Sequence, residues 1–75
     1  MDLLEENIIK DRIVTYQTRE VILKDLLQRT FEIIVDSSDP AEIKEQATKL
    51  ADYRLQLIEV QKYLKNPNLI VYERL

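Results

Sequence analysis

Asp36-Ser37-Ser38-Asp39-Pro40-Ala41-Glu42 is the stretch that decides the fold, the one well-marked boundary inside the chain. Asp39 is placed to accept from the orphan amides of a first helical turn. Pro40 suits the first helical position, where its missing N–H and fixed φ do no harm. Glu42, three residues after Asp39, completes a capping-box-like spacing. A helix is therefore expected from about 40 to 65, preceded by a four-residue turn over 36–39. Pro67 pushes the residue before it out of helical angles and ends that helix.

Working back from the turn, a first helix is expected over about 3–36, with Asp2 as cap and Glu5 three residues on. Helical spacing runs through Leu4, Ile8, Ile9, Ile13 and Tyr16, then resumes at Leu23, Leu27, Phe31 and Ile34. Between the two groups, Thr15 to Glu20 (TYQTRE) thins the apolar stripe to Tyr16. The β-branched run Arg12 to Thr18 leaves a second option, a strand or break before a new helix capped by Thr18. Continuous or kinked helix is the better reading, because no Gly or Pro punctuates the segment. Acid-before-base pairs at i, i+4 support it: Glu6/Lys10, Glu20/Lys24, Asp25/Arg29 and Glu45/Lys49. Solvated helix surface accounts for them fully.

The expected architecture is thus one all-α domain over 1–75, an antiparallel two-helix hairpin with a short extended tail over 67–75. Glycine is absent and proline occurs twice, which suits long helices and excludes Gly-rich phosphate loops. The 45% hydrophobic and 33% charged residues are a folding composition, not a disordered one. With no cysteine, disulfides and thiolate metal sites are excluded; with no histidine, the commonest general base and metal ligand is missing. The acidic amphipathic opening argues against a secretory signal, and no apolar run approaches the ~18 residues of a membrane span. A cytoplasmic protein without membrane contact is expected.

Apolar residues occupy too wide an arc for two rods to hide. On the first helix, Ile22, Leu26 and Ile33 form one stripe and Leu23, Leu27, Phe31 and Ile34 its neighbour. Chains this small without disulfide or metal usually recruit a second subunit. A homodimer is expected, two hairpins packing into a four-helix bundle.

Catalytic chemistry finds little support. Ser37 and Ser38 lack a histidine to activate them, and Asp36 and Asp39 serve as turn and cap residues. No catalytic residue, cofactor or metal ligand is expected, since bundle carboxylate sites add a Glu-x-x-His motif that is missing. The function expected is therefore a non-catalytic protein-interaction module, an adaptor, regulator or inhibitor that binds a larger protein. Its candidate contacts are the N-terminal overhang (Leu3, Leu4, Ile8, Ile9), Tyr16, and the tail (Leu69, Ile70, Val71, Tyr72).

Two alternatives follow from charge. Lys49, Tyr53, Arg54, Lys62 and Lys65 would suit a nucleic-acid-binding helical dimer, but Glu45, Asp52 and Glu59 are interspersed. The net charge of −3, concentrated in the first half, would suit a DNA-mimicking inhibitor.

Overall fold

The computed structural model describes residues 3–69, with side chains from Asn7 onward. Two helices account for nearly all of it: α1 (Leu3–Asp36) and α2 (Pro40–Lys65). α1 passes through Arg12 to Thr18 without interruption, so the strand or break offered for that segment is not realised. A local reason is visible. Thr15 Oγ1 donates to the Asp11 carbonyl and Thr18 Oγ1 to the Val14 carbonyl, each at 3.0 Å. Both hydroxyls bond back to the preceding turn instead of competing with the helix from outside it. Three of the four acid–base pairs also close, Asp25/Arg29 at 3.0 Å, Glu45/Lys49 at 3.6 Å and Glu20/Lys24 at 4.0 Å. Glu6, like the Asp2 cap, lies outside the described side chains.

The turn is built from side chains. Ser37 N–H donates to the Ile33 carbonyl at 2.9 Å and closes α1. Asp39 is extended (φ −89°, ψ 114°), and its Oδ1 accepts from Ala41 N–H at 3.0 Å. Its own N–H donates to Ser37 Oγ at 3.1 Å. The reciprocal arm of the cap, which the spacing assigned to Glu42, is thus supplied by Ser37. At the far end Asn66 N–H donates to the Lys62 carbonyl at 3.1 Å, and Lys62 and Lys65 place positive charge at the negative end of the helix dipole. Beyond Pro67 the chain turns: Leu69 N–H donates to the Asn66 carbonyl at 3.1 Å. Residues 67–69 therefore depart from the extended tail expected there; Ile70 to Leu75 lie outside the described residues.

What joins the helices is a seam with seven-residue spacing. In heptad notation, α1 contributes Ile13, Glu20, Leu27 and Ile34 at a, with Ile9, Tyr16, Leu23, Thr30 and Ser37 at d. α2 contributes Ile43, Leu50, Leu57 and Leu64 at a, with Gln46, Tyr53, Val60 and Pro67 at d. Every one of these side chains is buried or half-buried. Alternating steps of three and four residues keep one line of each helix against the other. Leu23, Leu57 and Val60 form the buried centre, with Tyr16, Leu27, Tyr53 and Leu64 packed around them. Tyr16 stacks on Tyr63 with centroids 5.1 Å apart and planes 8° from parallel, which fixes the register. Thr30 sits in the seam at 5% exposure; its hydroxyl is satisfied by the Leu26 carbonyl at 2.6 Å. The chain is an all-α helical hairpin, and no strand occurs among the described residues.

Two substitutions separate local from seam stability. Leu57→Ala should cost about 2–5 kcal/mol through the cavity it leaves. Asp39→Ala should cost about 0.5–2 kcal/mol through the lost cap. Urea unfolding checks both; a larger loss at Asp39 than at Leu57 would contradict the seam as the main support.

Candidate interaction surface

Because the helices run antiparallel, the rows beside the seam meet like with like: e and b of both helices on one side, g and c on the other. The clefts agree. One of about 300 Å³ joins Arg19, Gln56 and Tyr63 from g and Glu59 from c to the seam residues Tyr16 and Val60. On the opposite side Gln61 (e) and Lys65 (b) share a cleft with the seam residues Glu20 and Leu64.

The e/b side is apolar and cationic. On α1 it carries Val14, Val21, Phe31 and Val35, all at least 58% exposed. On α2 it carries Ala47, Ala51 and Ile58, also exposed. Its charges are Lys10, Lys24, Lys44, Arg54 and Lys65. No Asp or Glu occupies these rows between residues 7 and 69, although seam residue Glu20 reaches Lys24. The g/c side differs. There α1 presents Arg12, Arg19 and Arg29 beside Ile22, Leu26 and Ile33, whereas α2 presents Glu42, Glu45, Asp52 and Glu59, with Lys49 bound to Glu45.

Two measures show that the hairpin leaves surface over. Its radius of gyration is 16.3 Å, against about 11 Å for a compact domain of this length. Its accessible surface is 5734 Å². A compact monomer of 9.0 kDa would expose roughly 4,850 Å². The excess, about 900 Å², follows from the elongated shape, which spreads the apolar content over two long flanks.

The residues singled out from sequence fall in several places. Ile9 is buried at the seam, Ile8 is half-buried, and Leu3 and Leu4 lie in α1 with side chains outside those described. Tyr16 is held against Tyr63 and the core, not presented as a free patch. Leu69 is half-buried, while Ile70, Val71 and Tyr72 lie beyond the described residues. Of the possible nucleic-acid contacts, Arg54 and Lys65 belong to the e/b side and Lys62, on the f row, sits 5.4 Å from the Tyr63 ring centroid. Lys49 is on the other side, and Tyr53 packs on the core. The acidic row Glu45, Asp52 and Glu59 steps by seven residues, about 10.5 Å. The exposed valines, Phe31 and Ile58 were not singled out as contacts; counting by sevens from the turn is the signal that places them outside the seam.

No group of three or more potential metal ligands occurs among the described residues. None of the described helices is long and apolar enough to cross a membrane. Comparison of the chain with protein-family models, with curated proteins and with solved structures finds no match.

Exposure this high predicts that the flank is dispensable for folding. Val21→Gln and Phe31→Gln should each change stability by no more than about 0.5 kcal/mol. Thermal unfolding of the isolated chain tests this; a loss of several kcal/mol would mean those side chains are covered.

Proposed function

We propose that this chain is a non-catalytic interaction module, a small helical adaptor, regulator or inhibitor that binds a larger protein and pairs with its own copy. The observation that carries the reading is the surplus of exposed apolar side chains on both flanks of a narrow seam. Large apolar patches rimmed by charge mark partner sites. A face of 55 × 19 Å exceeds the ~800 Å² per partner of a standard interface.

Pairing with a second copy suits the g/c side. Two hairpins related by a two-fold axis parallel to the helices set α1 of one over α2 of the other, level for level. Arg19 then faces Glu59 of the second copy, while Ile22, Leu26 and Ile33 are covered. Such a self-complementary patch is what a two-fold interface requires. The product is the four-helix bundle, with seams of the same kind between copies. The e/b side stays open for a different protein.

Sedimentation of the whole chain at micromolar concentration tests the pairing. A mass twice 9.0 kDa is expected. Arg19→Glu should shift the chain toward the monomer, and Arg19→Glu with Glu59→Arg should restore the dimer. A monomer at all concentrations, or a dimer indifferent to both variants, would remove this part of the reading.

A further inference from the structure

The e/b side carries a charge pattern that a stand-alone hairpin has no use for. At the e positions of antiparallel helices, facing residues usually carry opposite charges. Here Lys24 and Arg54 stand level across the seam, both positive and both exposed. Lys24 has only the 4.0 Å contact with Glu20, and Arg54 has no ion pair among the described residues. Lys44 and Lys65 lie further along the same flank. Beyond Glu20 at the seam edge, the described rows of this flank offer these cations no carboxylate.

Its shape is equally particular. Ala47 and Ala51, one turn apart on α2, make a low strip next to the bulk of Phe31. Further along, Val21 and Ile58 stand level and give a second apolar contact. From the level of Val35 to that of Val14 is 21 residues of α1, roughly 32 Å. Small alanines beside larger aliphatic and aromatic side chains suit the ridge of a helix, as in helix-in-groove recognition.

Resting on the interaction-module reading above, we propose that the e/b side is the docking groove for an amphipathic helix of another protein, about twenty residues long. That helix carries an apolar stripe flanked by Asp or Glu, with acid at mid-length against Lys24 and Arg54. A second copy does not fit, because this side has no carboxylate in its described rows to meet those cations. Phosphate backbones would meet the cations but leave Val21, Val35, Phe31 and Ile58 without partners.

The probe is a labelled 21-residue helical peptide with a Leu/Ile stripe flanked by Glu, and its twin with Lys at every Glu. Fluorescence anisotropy with the full chain should show the Glu peptide binding at least ten-fold tighter. Lys24→Glu with Arg54→Glu should invert that preference, with helicity checked by circular dichroism. Ala51→Glu should weaken the Glu peptide at least ten-fold, whereas Arg19→Glu, on the other side, should leave it unchanged. Equal binding of the two peptides, or a preference unmoved by the double substitution, would overturn the proposal. So would phosphatidylserine vesicles or duplex DNA held through Lys24 and Arg54 while the Glu peptide is ignored. Because Arg19→Glu separates copy pairing from this groove, failure of one reading is distinguishable from failure of the other.

Discussion

Everything in this molecule depends on the narrowness of its seam. Two helices in contact cover one line each, and the alternating three- and four-residue steps hold that line straight from Ile9 to Ser37 and from Ile43 to Pro67. The buried centre is small: Leu23, Leu57 and Val60, framed by Tyr16, Tyr53, Leu27 and Leu64. None of the described side chains reaches full burial below 2%. Such a core orders the hairpin, yet it takes in only part of the apolar content that the sequence supplies. The rest stands on the flanks as a consequence of geometry, since of the rows beside a and d only Tyr63 is buried in the two-helix contact.

Charge then divides the two flanks. The g/c side sets Arg12, Arg19 and Arg29 on α1 against Glu45, Asp52 and Glu59 on α2, with Lys49 and Asp36 as the exceptions, so most of its pattern complements itself. The e/b side gathers cations on both helices, so its pattern calls for something unlike itself. An overall charge of −3 conceals this division, because the acids of the two helices sit mostly on the f row of α1 (Asp11, Asp25, Glu32) and the c row of α2 (Glu45, Asp52, Glu59), and none sits on the e/b rows between residues 7 and 69. Net charge alone speaks to solubility and steering; the row-by-row distribution speaks to partners. A side-by-side reading of aliphatic and charged positions therefore carries more than either count.

The fold was legible where the signal is local. Asp39 caps α2 through bonds to Ala41 and Ser37, and Pro40 suits its first position, so the turn could be placed from seven residues. Helix content followed from absent glycine and from i, i+4 charge pairs, three of which close. The seam was harder to read, because Glu20 and Thr30 stand at seam positions that apolar pattern-matching skips. Glu20 tolerates its place by reaching Lys24 at the edge, and Thr30 by bonding the Leu26 carbonyl. For the same reason Phe31 looked like a member of the stripe, whereas at e it is 58% exposed. The extended tail expected from 67 on departs at its start: Asn66 and Pro67 set a turn in which Leu69 N–H bonds back to the Asn66 carbonyl.

The most direct test of the seam is solvent paramagnetic relaxation of the methyl groups in the isolated chain, with a soluble gadolinium chelate and NMR detection. The account predicts strong relaxation for Val21, Val35 and Ile58 and protection for Leu23, Leu57 and Val60. Protection of Val21 and Ile58 to the level of Leu57 would contradict it, because the flank would then be covered without any foreign partner.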